Sequence, residues 1–174
     1  ALLNEMQARG RAPNVISYNS AIAACEKAGQ WERALALLDE MQTRHRLAPG
    51  VISYNSAISA CGKGKQWERA LALLFEMHTH GLAPDVISFS AAIAACEKAG
   101  QWERALALLD EMRTRGLEPN VISFSSAISA CEKGGRWERA LALLEEMRAR
   151  GVEPNVISYN SAIAACEKAG QWER

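Results

Sequence analysis

The sequence predicts an all-α fold, a right-handed α-solenoid of stacked helix-turn-helix repeats, and three observations carry it. The stretch Asn14-Val15-Ile16-Ser17-Tyr18-Asn19-Ser20-Ala21-Ile22 recurs four more times, led by Gly50, Asp85, Asn120 and Asn155, so the copies start 35 or 36 residues apart. A fixed period of this size marks a stacked array in which each unit buries its apolar face on its neighbours. After each copy comes an apolar stripe at helical spacing, as in Trp31, Ala34, Leu35, Leu38 and Met41, with Glu32, Arg33, Asp39 and Glu40 off it. Between the two patterns, and again after the second, stand turn residues such as Ala28-Gly29-Gln30 and Gly81-Leu82-Ala83-Pro84.

The first helix of the first unit is predicted over roughly residues 15–27, capped by Asn14 after Pro13. Its small apolar residues Ala21, Ile22, Ala24 and Cys25 allow a close backbone approach. The second is predicted over roughly residues 31–44. Later units break between helices at Gly64-Lys65-Gln66, Ala99-Gly100-Gln101, Gly134-Gly135-Arg136 and Ala169-Gly170-Gln171. The connector His45-Arg46-Leu47-Ala48-Pro49 is one residue longer than its equivalents, an insertion placed where it costs least. The expected organisation is a truncated unit over 1–14, complete repeats over 15–50, 51–85, 86–120 and 121–155, and a truncated repeat over 156–174. Both ends fall inside a helical pattern, as expected of a window from a longer protein.

Composition narrows the function. Among 174 residues, 20 Lys plus Arg balance 20 Asp plus Glu, so no basic excess announces a polyanion partner, although local basic stripes remain compatible. No apolar run approaches the ~18 residues of a membrane span, so no membrane insertion is expected, and no targeting peptide is recognised. Cys25, Cys61, Cys96, Cys131 and Cys166 occur once per repeat. Equivalent points on successive repeats lie too far apart for disulfides, so these read as buried packing residues in a reducing compartment. No metal-ligand spacing, Gly-rich phosphate loop or Ser/His/Asp set is present, so neither cofactor nor metal nor catalysis is expected of this segment.

One strip of the first helix carries suggestive chemistry. Counting from the first Val of each unit, position 2 is Ile16, Ile52, Ile87, Ile122 and Ile157, and position 5 is Asn19, Asn55, Ser90, Ser125 and Asn160. Position 9 is Ala23, Ser59, Ala94, Ser129 and Ala164, and position 13 is Lys27, Lys63, Lys98, Lys133 and Lys168. At about 100° per residue, positions 9 and 13 fall within about 20° of position 2, and position 5 lies about 60° away. Branched apolar groups on adjacent repeats can sandwich a base, a short amide or hydroxyl can bond its edge, and a lysine can meet a phosphate.

The motif Val-Ile-Ser-Tyr-Asn-x-x-Ile, then Cys-x-Lys, then Leu-x-Glu-Met, then Gly-x-x-Pro-Asp/Asn, at a 35-residue period, resembles the pentatricopeptide repeat. The Trp-x-x-Leu-Gly-x-x-Tyr signature of the tetratricopeptide repeat is absent. The resemblance covers the whole chain and implies sequence-specific binding of single-stranded RNA, one base per repeat, in a mitochondrion or plastid. It also implies a code read from position 5 with the last residue of the same repeat. Asn55 with Asp85 then resembles a U reader, and Ser90 with Asn120 and Ser125 with Asn155 resemble A readers. Asn19 with Gly50 departs from the common pairs and leans to pyrimidines, as does Asn160 without its partner. The implied target is 5′-Y-U-A-A-Y-3′.

Other readings stand beside these. Asn14, Asp85, Asn120 and Asn155 are good helix caps whether or not they touch RNA. The Asn/Ser alternation travels with a Tyr/Phe alternation at position 4, as two duplicated subtypes would without any code. The lysines complement helix C-termini without a ligand. Trp31, Trp67, Trp102, Trp137 and Trp172 read as inter-helix packing, His45, His78 and His80 as surface residues, and the second-helix carboxylates as a solvated face. Neutrality, with Glu26, Glu97, Glu132 and Glu167 beside the lysines, also fits a scaffold that binds protein partners in its concave face.

Overall fold

The computed structural model describes residues 2–171, which form ten helices and no strand. In order these are α1 (Leu2–Ala8), α2 (Val15–Lys27), α3 (Trp31–Thr43), α4 (Val51–Lys63), α5 (Trp67–Thr79), α6 (Val86–Lys98), α7 (Trp102–Thr114), α8 (Val121–Lys133), α9 (Trp137–Ala149) and α10 (Val156–Lys168). Trp172 lies outside the described residues.

The chain divides into two compact units, Ala1–Pro84 and Asp85–Arg174. In the first, α2 packs against α3 and α4, α4 also packs against α3 and α5, and α1 touches α2. In the second, α8 packs against α6, α7, α9 and α10, with α6 on α7 and α9 on α10. Each unit is thus a row of first helices backed by second helices, the layered packing of a helical-repeat solenoid.

Local chemistry sets the boundaries. Asn14 accepts the Ser17 N–H at 3.0 Å, and Asp85, Asn120 and Asn155 accept from Ser88, Ser123 and Ser158 at 2.8, 3.0 and 2.9 Å. The same serines accept the backbone N–H of their caps, closing a reciprocal capping box at each helix start. Gly50 has no side chain to offer and only donates its N–H to Ser53 Oγ at 3.3 Å. First helices end in Schellman turns. In the first, Gly29 at φ +68° donates to Glu26, and Gln30 donates to the Cys25 carbonyl at 2.9 Å. The longer connector is absorbed by widening its turn: Leu47 bonds the Met41 carbonyl, where Leu82 bonds that of Met77 five residues back, and Arg46 takes φ +49°.

The core lies inside each hairpin. Tyr18, Tyr54, Phe89 and Phe124 are fully buried, as are Ile22, Ile58, Ile93 and Ile128 and the second-helix methionines Met41, Met77, Met112 and Met147. Each such side chain contributes about 1.5–3 kcal/mol by leaving water. Ala60, Cys61, Ala95, Cys96, Ala130 and Cys131 are also buried completely, leaving room for helix backbones to approach. Ala24 is exposed and Cys25 only half-buried, because α1 is just seven residues long and shields less of α2 than a full hairpin would.

The tryptophans pack between repeats. A Cβ on Gly64 would fall 2.2 Å from Trp31 Cδ1, and one on Gly134 would fall 2.4 Å from Trp102 Cδ1. The Arg136 guanidinium stacks over the Trp102 ring at 4.5 Å. The connector histidines do more than decorate the surface: Tyr54 Oη lies 2.7 Å from His80 Nδ1, and His45 bonds Gln7 at 2.9 Å.

Candidate nucleic-acid interface

The isoleucines at position 2 turn away from the core. Ile16, Ile52, Ile87, Ile122 and Ile157 are 73%, 68%, 62%, 59% and 60% exposed, whereas the isoleucines of the hairpin interior in the complete repeats are fully buried. In the first unit Ile16 and Ile52 stand in the same register on packed neighbours α2 and α4; in the second, Ile87, Ile122 and Ile157 do so on α6, α8 and α10.

Position 5 lies beside these isoleucines, and Asn19, Ser90 and Ser125 are already engaged. Ser90, 3% exposed, has its Oγ 2.6 Å from the Val86 carbonyl, 2.8 Å from Ser123 Oγ and 3.4 Å from Asn120 Oδ1. Ser125 lies 2.8 Å from Ser158 Oγ and 3.3 Å from Asn155 Oδ1. The fold therefore joins Ser90 to Asn120 and Ser125 to Asn155, the pairs singled out above as base readers. Asn19 Oδ1 accepts from Ser53 Oγ at 2.6 Å. Asn55 is half-buried on α4, Asp85 caps α6, and Asn160 is exposed on α10. In Asn120 and Asn155 the helix cap falls on the side chain expected to read a base: Oδ1 is held by the helix start, and Nδ2 carries the remaining protons.

The Tyr/Phe alternation at position 4 faces a different environment. Tyr18 donates to Glu40 at 3.2 Å and Tyr54 to Glu76 at 2.8 Å, both on second helices, while Arg115 and Arg113 lie over the Phe89 and Phe124 rings. Burial first, then the carboxylate of Glu76, pushes the Tyr54 hydroxyl well above its ordinary range.

The lysines at position 13 are largely paired. Lys63 meets Glu26 at 2.8 Å, Lys133 meets Glu97 at 2.6 Å, and Lys168 pairs with Glu132. Ser59 and Ser129 at position 9 add hydrogen bonds of 3.0 Å to Glu26 and Glu97. Burial raises the Glu26 carboxyl, but hydrogen bonds from Lys63 and Ser59 and the charges of Lys63 and Lys27 outweigh it and hold the group below its ordinary value. Among the described residues Lys27 and Lys98 form no ion pair. The sequence pattern did not reveal the partners of these lysines, each one repeat back.

The remaining candidates are quiet. Burial pushes the Cys61, Cys96 and Cys131 thiols up to about 11, against a weak lowering by Arg69, Arg104 and Arg139. Thiols so shifted are poor nucleophiles and poor ligands near neutrality. Among the described residues no group of three or more His, Cys, Asp or Glu side chains could hold a metal ion, and no helix is long and apolar enough to cross a membrane.

A model of the PPR repeat family matches residues 49–98, 84–133 and 126–168, and a model of the pentatricopeptide repeat domain matches residues 1–64. The chain belongs to the PPR repeat family. No curated protein sequence matches it. The PPR fold is equally plain in solved structures. The pentatricopeptide repeat protein PPR10 in complex with an 18-nt psaJ RNA element superposes with a TM-score of 0.84, at 24% identity over 98% of this chain and 25% of that one. A structure of PPR10 from maize gives 0.73, at 32% identity over 98% of this chain and 24% of that one. The PPR domain of Arabidopsis thaliana protein-only RNase P 1, in complex with tRNA, gives 0.73, at 18% identity over 88% and 82% of the two chains. The chain spans about a quarter of the length of PPR10.

Proposed function

We propose that this chain binds single-stranded RNA in extended form, about one base per repeat, in the order 5′-Y-U-A-A-Y-3′ from Asn19 to Asn160. The observation that carries the reading is the exposed isoleucine that recurs on the first helix of every repeat. Five large apolar side chains left 59–73% exposed at the period of the array are a repeated stacking platform, each beside a short polar residue. Stacking contributes about 1–3 kcal/mol per base, and the neighbouring amides and hydroxyls select among bases. The RNA in the PPR10 complex and the tRNA in the RNase P complex support the same ligand class. The role is one of binding, in organelle RNA processing, stability or translation, as the family implies.

The test is fluorescence anisotropy with a labelled RNA carrying C-U-A-A-U in an inert flank, against a scrambled RNA, with Ser90→Asn alongside. Preference for the first RNA, moved toward a pyrimidine at the third base by the substitution, supports coded recognition. Equal binding to both RNAs leaves only phosphate attraction and ends the base code.

The carboxylates favour a second reading. Lys63, Lys133 and Lys168 are already neutralised by glutamates, which leaves a largely uncharged strip suited to a protein partner. A folded chain that binds neither RNA would favour that scaffold role.

A further inference from the structure

The first helix of each repeat also carries a serine at position 3, about 100° round the helix from the isoleucine. It is constant in all five copies, as Ser17, Ser53, Ser88, Ser123 and Ser158. We propose that Ser53, Ser123 and Ser158 are positioning residues for base selection, each fixing the direction of the hydrogen bond that position 5 of the preceding repeat offers to a base. The inference rests on the RNA-binding reading above.

The serine hydroxyls fix where the protons go. Ser123 Oγ receives the Asn120 backbone N–H at 3.2 Å and reaches Asn120 Oδ1 at 3.0 Å, to which its own hydroxyl donates. Ser90 Oγ then has three internal acceptors, the Val86 carbonyl at 2.6 Å, Ser123 Oγ at 2.8 Å and, more distantly, Asn120 Oδ1 at 3.4 Å. Whichever it uses, its single proton is spent inside the protein, and what it keeps for a base is a lone pair. Asn120, with Oδ1 held by Ser123, keeps the Nδ2 donor. Together they present an acceptor and a donor, the complement of the amino group and ring nitrogen of adenine. Ser158 repeats the arrangement for Ser125 and Asn155, with contacts of 2.8 Å to Ser125 and 3.0 Å to Asn155.

Where position 5 is Asn, the same serine has the opposite effect. Ser53 donates to Asn19 Oδ1 at 2.6 Å, so Asn19 keeps its Nδ2 donor. A donor suits the O2 and O4 acceptors of pyrimidines. One constant hydroxyl thus leaves serine an acceptor and asparagine a donor. Position 5 chooses between them, and position 3 of the next repeat holds the choice in place.

Ser17 provides the control. It makes the same capping box with Asn14, at 3.0 Å from its N–H, but its hydroxyl otherwise meets Met6 Sδ and touches no position-5 residue. The experiment measures binding of C-U-A-A-U RNA against RNAs with G at the third or the fourth base. It uses the full chain and the variants Ser123→Ala, Ser158→Ala and Ser17→Ala, with helix content followed by circular dichroism. Ser123→Ala is expected to lose discrimination at the third base by about three- to ten-fold, the worth of one hydrogen bond, and to keep it at the fourth. Ser158→Ala is expected to do the reverse, and Ser17→Ala to change neither ratio. Variants that weaken all three RNAs equally, with both ratios kept, reduce the serines to caps and overturn the inference. If Ser123→Ala melts, Ser158→Ala, in the last described helix, decides alone. A wild-type chain with no preference for A at either base overturns the base-reading function itself, an outcome distinct from the failure of the serine variants.

Discussion

Lys133 Nζ lies 2.6 Å from Glu97 Oε1 and 3.2 Å from the Glu97 backbone carbonyl, across one full repeat. Ser129 holds the same carboxylate at 3.0 Å, so the acid is gripped from two positions of the next first helix. A phosphate approaching Lys133 must therefore share the cation with a fixed negative charge. Glu97→Gln should release it. The expected result is tighter RNA binding, by about five-fold at low salt, from the loss of about 1 kcal/mol of repulsion near the surface. The salt dependence should steepen by about one phosphate contact. Anisotropy titrations at two salt concentrations check both; unchanged affinity would place the phosphates elsewhere. Folding should suffer little, since the Lys133 side chain is 40% exposed and a solvent-screened ion pair is worth only about 0–1 kcal/mol.

The equivalent pair in the first unit gives stability a pH dependence. Glu26 is held below its ordinary value of 4.5 by Lys63 and Ser59, against the opposing effect of burial. A carboxyl whose folded value is depressed stabilises the fold at pH values above its unfolded value. That contribution fades as pH falls through the lowered folded value. Wild type should therefore melt above Glu26→Gln at pH 7. The gap should close on acidification below about 4.5. Thermal melts of both proteins between neutral and acidic pH measure it, and a gap that widens in acid would contradict the assignment.

What was legible in the sequence, and what was not, follows from how far apart the partners lie. The helix bounds came from local signals: Asn14 before Val15 and Gly29 after Lys27 each act within a turn of themselves. The isoleucine row came from the helical wheel. The partners of the strip did not, because Ser53 meets Asn19 across 34 residues and Lys133 meets Glu97 across 36. Glu26 next to Lys27 in the chain suggests local neutralisation, yet it is Lys63 that it binds. Gly64 ends α4 as its position in the turn suggested, but that the Trp31 ring fills the space a Cβ would take there was not legible. Each of these contacts forms only when one repeat stacks on the last, so periodicity announces that neighbours meet without saying which atoms do.

Lys65 stands at φ +57° in the turn where Gly29, Gly100, Gly135 and Gly170 serve elsewhere. A side chain in the left-handed region costs about 1–2 kcal/mol, part of which glycine returns as unfolded-state entropy. Lys65→Gly should stabilise the chain by about 0.5–1 kcal/mol, read as a rise in the urea midpoint without a change in slope. A fall in the midpoint would mean that the lysine side chain compensates the strain.

The cysteines should divide by burial. Cys61, Cys96 and Cys131, fully buried and pushed up to about 11, should resist a thiol reagent at pH 8 until the helices open. Cys25, half-buried on α2, should react first. Mass mapping after brief alkylation checks the order. Rapid labelling of Cys96 in folded protein would show that α6 opens locally.

The close fit of Gly134 on Trp102 supplies a steric test. A methyl on Gly134 would lie 2.4 Å from Trp102 Cδ1 and 2.5 Å from Cγ, on an indole that also carries the Arg136 guanidinium at 4.5 Å from its centroid. Gly134→Ala should therefore cost about 1–3 kcal/mol, as overpacking does, although alanine is the better helix former. Adding Trp102→Leu should recover part of that loss, because the smaller side chain vacates the space the methyl needs. Denaturant unfolding of the single and double variants measures the coupling. Additive losses would show that Gly134 and Trp102 act independently, and that the close approach does not determine the identity of either.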